Sequence, residues 1–167
     1  YTTDAEGRIT RYNQAAVDLW GQRPILGSAR WSGSWRQYWT DGRPMPAEEC
    51  PLAQSLALNR PVTGLETIIE RPDGTRLPVA SHPTPLRDAS GAPIGGVDIL
   101  VDLTEQHVRA MELAYTAGDF AETLVRAEVA LGRELSPEQR ARVQVTRGAV
   151  LLTQGSDAML ACSREAA

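Results

Sequence analysis

With 167 residues, 42% of them hydrophobic, the chain has the length and apolar content for one packed domain or a small domain with an appendage, and not for a disordered segment. A net charge of −4, with all 17 formal positive charges on arginine, gives nucleic acid or an anionic membrane no electrostatic reason to approach, so neither partner is expected. No run approaches the ~20 apolar residues a bilayer span needs, and Cys50 and Cys162 stand far apart in unlike contexts with no disulfide framework, which makes a reducing cytoplasm the expected setting.

The chain opens on Tyr1-Thr2-Thr3-Asp4, a strand entered midway with no initiator methionine, which reads as a cut from a longer protein. Asp4-Ala5-Glu6-Gly7-Arg8 is a tight reversal, and residues 9–12 form the return strand. Asn13 is a good N-cap for a short helix over 14–20, whose Ala16, Leu19 and Trp20 share a face; Gly21 and Pro24 end it. Residues 31–43, WSGSWRQYWTDGR, gather three tryptophans and a tyrosine in a chain only 5% aromatic, and glycine and serine break the run too often for a firm helix or strand. Residues 46–59 support a second helix. Glu48 and Glu49 lie at its positive end, Pro51 in its first turn, and Leu52, Ala53 and Leu56 form its apolar stripe.

Strands then dominate from Gly64 to Glu105. Pro72-Asp73-Gly74 and Asp88-Ala89-Ser90-Gly91 each supply the φ values an antiparallel reversal needs. The last strand, over 94–103, is the most apolar run of β-formers, with Val97, Ile99 and Val101 on one face and Asp98, Leu100 and Asp102 on the other. The order is two strands, helix, aromatic loop, helix, three strands. It predicts an α+β layer: a five-stranded antiparallel sheet with short helices on one face and room for a pocket between the layers.

Beyond Gln106 the apolar period becomes helical. Helices are expected over 107–117, over 120–131 with Leu124, Ala127 and Leu131 on one face, and from Ser136-Pro137-Glu138-Gln139, a strong start signal, to about 154. Gly155-Ser156 should break to a fourth helix ending at Ala167. Two domains follow, 1–106 and an all-α hairpin region over 107–167.

Tyr1-Thr2-Thr3-Asp4-x-x-Gly7-Arg8-Ile9, Tyr12-Asn13-x-Ala15-Ala16, Arg71-Pro72-Asp73-Gly74-Thr75, Asp88-x-x-Gly91 and Val101-Asp102-Leu103-Thr104-Glu105 together resemble a bacterial PAS domain. Trp20-Gly21, Gly33-Ser34-Trp35, Asp41-Gly42 and Glu49-Cys50-Pro51-Leu52-Ala53 are similar to a subgroup found in multidomain sensor kinases of two-component systems. The resemblance implies a cytoplasmic module that senses a small molecule or a protein partner, relays the signal through the helix after its last strand, and is not itself an enzyme. Haem-binding members present a histidine from the helix facing the sheet, and residues 46–59 hold none; the flavin photosensors carry Asn-Cys-Arg-Phe-Leu-Gln, also missing. No haem or flavin is expected. In the helical region Ala117-Gly118-Asp119-Phe120, with Ala130-Leu131 downstream, resembles the loop and second helix of a tetratricopeptide unit, and Gly118 and Gly155 would mark two such pairs.

Asp102 and Thr104 are the candidate relay residues. The carboxylate can pair with Arg8 or Arg11 on the first hairpin while Thr104 caps the next helix, so breaking the pair would loosen that helix; the plainer reading is a static salt bridge. Trp20, Trp31, Trp35, Tyr38 and Trp39, with Leu56 from the second helix and Val97 and Ile99 from the last strand, are candidates to wall a ligand pocket, although Trp20 reads first as core. Cys50 precedes a helix, where a thiolate would be favoured, but a buried thiol is the simpler assignment. Cys50, His82, His107 and Cys162 lack ligand spacing, so no metal is expected. Gly95-Gly96 leads into a strand and is no phosphate loop, Glu48-Glu49 is a solvated helix start, and no nucleophile–base set emerges. A second function remains open beside sensing: a docking or homodimerisation platform with a filled core and no ligand.

Overall fold

Turns built on aspartate and glycine reverse the chain through the first hundred residues of the computed structural model, which describes residues 1–132 and 135–165, with 156–165 described by backbone alone. Asp4 Oδ1 accepts from the Arg8 amide at 2.7 Å, Asp73 Oδ1 from Thr75 at 2.9 Å, and Asp88 Oδ1 from Ser90 at 2.8 Å. Gly7 and Gly91 close their turns at φ +79° and +87°, where an L side chain is strained. Between these reversals lie β1 (Thr2–Asp4), β2 (Ile9–Arg11), β3 (Arg36–Tyr38), β4 (Leu65–Glu70), β5 (Arg76–Ser81), β6 (Thr84–Arg87), β7 (Pro93–Val97) and β8 (Leu100–Asp102).

All pairings are antiparallel, in two four-stranded ladders ordered β2-β1-β7-β6 and β3-β4-β5-β8. The ladders are continuous in register: Ser81 opposes Leu100 on one side of the break and Thr84 opposes Val97 on the other. β5–β6 and β7–β8 are thus two long strands that bend together at His82-Pro83 and Asp98-Ile99. Counted through the bends, the α+β layer holds the five expected strands, and the aromatic segment adds β3 as a short edge strand.

One detail of the last strand is reversed. Ile99 and Val101 are exposed, whereas Asp98 is buried and Leu100 packs against the core, so the apolar row faces outward. Alternation gives the two faces but not which is inner. Gly96 decides that, because a Cβ there would lie 2.6 Å from Leu52 Cδ1; the bare inner face lets the second helix dock closely.

Helix α1 (Gln14–Trp20) is capped as its sequence dictates, the Ala16 amide donating to Asn13 Oδ1 at 2.9 Å. The second helix is shorter than its pattern suggests. Residues Ala47–Glu49 make one 3-10 turn, Cys50 is extended (φ −63°, ψ 156°), and α2 covers Pro51–Ala57. Proline disfavours helical geometry in the residue before it, so Pro51 opens a new helix and cannot sit inside an older one. Trp20, Ile9, Ile69, Leu77 and Val79 form the main core, with Met45, Cys50, Leu52 and Ala53 a second cluster.

The chain divides into units Tyr1–Leu103 and Thr104–Ala167. In the second, α3 (Thr104–Thr116), α4 (Phe120–Leu131) and α5 (Pro137–Glu165) bury Val108, Met111, Ala127, Ala130 and Val143. Ser136 and Gln139 make a reciprocal capping box, Gln139 N to Ser136 Oγ at 3.1 Å and Ser136 N to Gln139 Oε1 at 3.0 Å. The expected break at Gly155 is corrected: α5 runs through it, so among the described residues three helices stand where two pairs were expected. A lone glycine costs a helix only about 1 kcal/mol relative to alanine, too little to end one. The expected link at Arg133-Glu134, the end at Ala167 and the Cys162 side chain lie outside the described residues.

Candidate functional site

The aromatic segment builds an open cleft of about 430 Å³ whose walls include Arg30, Trp31, Trp35, Arg36, Tyr38 and Met45. Its pivot is Trp31, which holds φ +68°. A bulky residue there is a true outlier, at an energetic cost of roughly 1–3 kcal/mol. Three contacts impose it. The Trp31 amide donates to the Gly7 carbonyl at 2.7 Å, the Tyr1 hydroxyl donates to the Trp31 carbonyl at 2.7 Å, and the indole lies on Gly7, where a Cβ would fall 2.4 Å from the ring.

The opposite wall is fixed by β3 and β4. The Trp35 amide donates to the Glu70 carbonyl at 2.9 Å, and the residue is 58% exposed. The Tyr38 hydroxyl and Arg76 Nε both donate to Glu70 Oε2, at 3.0 and 2.8 Å, and the Arg76 guanidinium sits 4.0 Å from the Tyr38 ring centroid. Hydrogen bonding from Arg76, helped by Tyr38, holds the Glu70 carboxyl below the usual carboxylate range. Arg30 sends Nε and Nη2 to the Glu6 carbonyl at 3.0 and 2.7 Å, with its guanidinium 5.5 Å from the Trp31 ring centroid.

Behind this cleft, at the strand bend, lies Asp98. Tyr1 and Asp98 exchange backbone hydrogen bonds of 3.0 Å, the His82 amide donates to Asp98 Oδ1 at 2.9 Å, and Asp98 Oδ2 is 3.2 Å from the Tyr1 hydroxyl. Burial pushes the Asp98 carboxyl up to about 6. The Tyr1 phenol is raised well above its ordinary value, first by burial and then by the Asp98 charge. Cys50 is buried, its sulfur accepting from the Ala53 amide at 3.4 Å, and desolvation lifts the thiol to about 11, which leaves it protonated.

Of the residues expected to wall a pocket, Trp31, Trp35 and Tyr38 share the cleft. Trp39 is partly buried against the Met45–Cys50 cluster. Trp20 is fully buried, edge-on to Tyr1 and Tyr12 at 5.1 and 6.0 Å, with Gly33 against its face. Leu56 packs beside Gly96, Val97 is half-buried, and Ile99 is 63% exposed at a second, smaller cleft with Asn13, Leu19 and Asp102. Among the relay residues, Arg8 engages its own hairpin, 3.3 Å from both Asp4 and Glu6, and Arg11 is exposed on β2. Asp102 ends β8 opposite Val79, and Thr104 is the first residue of α3. Sequence reasoning passed over Arg30, Glu70 and Asp98. The available signal for Asp98 was an acid in the middle of the most apolar strand.

No curated protein matches the chain. Two solved structures are similar to it: one described as "VqmA bound to DPO", at 20% identity and TM-score 0.39 over 88% of this chain and 80% of that one, and a Vibrio cholera VqmA-Ligand-DNA complex, at 18% identity and TM-score 0.41 over 88% and 82%. The second corrects the expectation that no nucleic acid is involved, since a similar chain is described in complex with DNA. Net charge averages over a whole chain, whereas a nucleic-acid surface is a local property, so the average was the wrong quantity to exclude one from. Residues 1–108 match the family model described as the PAS fold, over the hairpins, bent strands and helices laid out above, and the chain belongs to that family.

Proposed function

We propose that the chain is a ligand-sensing PAS module of a bacterial cytoplasmic signal-transduction protein of the sensor-kinase type, and that the Trp31–Tyr38 cleft is where a small molecule binds. The observation that carries this reading is Trp31: an energetically costly backbone, held by Gly7 and Tyr1, at the wall of an open aromatic cleft. Strain of that kind collects at ligand clamps. In this reading Asp102 and Thr104 pass the bound state to α3, whose hairpin with α4 carries the tetratricopeptide-like segment, and the module is not an enzyme.

Native mass spectrometry of the purified chain tests the site. A retained small molecule, lost on Trp35→Ala with circular dichroism unchanged, is the expected result; retention that is indifferent to Trp35 overturns it. A second reading, a docking or homodimerising module with no ligand, is favoured by one observation: Trp20 fills the core with no relative exposure. Its mark would be a chain that dimerises and carries nothing.

A further inference from the structure

We infer that the cleft selects a planar anion, an aromatic ring bearing a carboxylate; this rests on the ligand-site reading above and adds to it the chemical class of the ligand.

The charged side chains of the cleft wall are two arginines, Arg30 and Arg36. Arg30 is anchored by a neutral group, the Glu6 carbonyl, so the contact orients the guanidinium without neutralising it. Arg36 is 3.7 Å from Glu70 Oε1, while the other oxygen of that carboxylate is already bound by Arg76 at 2.8 Å and by the Tyr38 hydroxyl. Glu70 is therefore chiefly spent on Arg76, and Arg36, with its side chain 64% exposed, keeps its donors available at the rim. Guanidinium groups present a flat fork that matches a carboxylate in two parallel hydrogen bonds. Between them the wall is aromatic. Trp35 offers an open indole, and the Trp31 ring already backs onto Gly7 on one side. A flat ring can stack there as a compact aliphatic group cannot. The volume of about 430 Å³ suits a ligand of one or two fused rings. A cationic ligand would meet two guanidinium groups, Arg30 held by a neutral carbonyl and Arg36 only 3.7 Å from a carboxylate already shared with Arg76, and a neutral ligand would offer their free donors no charge-assisted partner.

Isothermal titration of the full chain with three probes decides this: 2-naphthoate, its neutral amide, and cyclohexanecarboxylate. The naphthoate should bind, with the amide and the non-aromatic acid each weaker by about tenfold or more. Arg36→Gln lies on an exposed edge strand and should keep the fold; it should weaken the naphthoate about tenfold and leave the amide unchanged. Trp35→Leu should weaken naphthoate and amide alike. Equal binding of amide and naphthoate, or no effect of Arg36→Gln, overturns the anion selection and leaves the ligand site standing. Failure of all three probes overturns the inference, and the mass-spectrometric test of Trp35 then settles separately whether the cleft is a ligand site.

Discussion

While Asp98 is ionised, its carboxylate and the Trp31 carbonyl compete for one proton. The Tyr1 hydroxyl has one proton, and the Trp31 carbonyl at 2.7 Å is its nearer acceptor; Asp98 Oδ2 waits at 3.2 Å. A protonated Asp98 resolves the conflict by donating to the tyrosine oxygen, in keeping with a carboxyl that burial raises to about 6. Of the titratable groups around it, the Tyr1 phenol and Cys50 are themselves raised, the Tyr1 ammonium opposes the shift, and His82 contributes its backbone amide. The consequence for stability has a definite sign. Between the ordinary carboxylate value near 4 and about 6, the unfolded chain has lost this proton while the folded chain keeps it. Stability therefore falls as pH rises through that window, by up to roughly 3 kcal/mol. An asparagine side chain at this position mimics the neutral acid, its amide donating to Tyr1 and its oxygen accepting from His82. The Asp98→Asn chain should be more stable than the native one at about pH 7 and should lose the decline between about pH 4 and 6. Urea midpoints followed by tryptophan fluorescence measure both, and a native-like decline in the variant counts against a titrating Asp98. Gly33 makes a second prediction. A Cβ there would meet the Trp20 ring at 2.3 Å, and Tyr1 and Tyr12 pin that ring from its edges, so Gly33→Ala should cost about 2 kcal/mol in the same assay.

Elements were legible wherever a local chemical device sets them. Asn13, the Asp-x-x-Gly turns and the Ser136/Gln139 box all bond within four residues of themselves, so short windows of sequence suffice. What escaped depends on groups distant in sequence. The inward face of β7–β8 was set by Leu52 against Gly96, the neighbours of Asp98 come from Tyr1 and His82, and the continuity of α5 through Gly155 outweighs one poor helix former. The cleft was half legible: the tryptophan cluster marked the segment, but Glu70 and Arg76, which orient Tyr38, arrive from other strands. The helical unit owes part of its cohesion to a similar distant meeting. Arg142 on α5 donates to Glu112 at 2.7 and 2.8 Å and to Glu105 at 3.1 and 3.3 Å, both on α3. Hydrogen bonds from Gln139, Arg142 and Arg109 lower the Glu105 carboxyl to about 2, and Arg142 lowers Glu112. Depressed acids stabilise above their unfolded pKa and lose that contribution as pH falls toward the folded one, so what this network adds to the native helices should fade between about 4.5 and about 2. In Arg142→Ala the acid transition, followed by circular dichroism in the far ultraviolet, should move upward by about one pH unit. An unmoved transition would show that the network contributes nothing there.

At the scale of the whole chain, the two units can be watched separately because all four tryptophans, Trp20, Trp31, Trp35 and Trp39, belong to the first. Tryptophan fluorescence reports the PAS unit, while amide exchange within α3 reports the start of the second. The proposed relay runs through a short piece of backbone. β8 is paired to β5 as far as Asp102, the Leu103 amide donates to the Pro78 carbonyl at 3.0 Å, and α3 starts at the next residue. In the proposed relay, a change in how β8 is seated reaches the first turns of α3 through this short connection. Asp102 is the last residue of that strand, so Asp102→Ala acts at the strand end itself. The variant should keep native tryptophan fluorescence and sheet content. Amides of residues 108–112, the first with full intrahelical bonding, should exchange about tenfold faster, and amides over residues 124–130 in α4 should change less. Equal acceleration along α3 and α4 would mean general loosening of the bundle, and unchanged protection over 108–112 would mean that the strand end carries no signal into the helix; either result removes the relay.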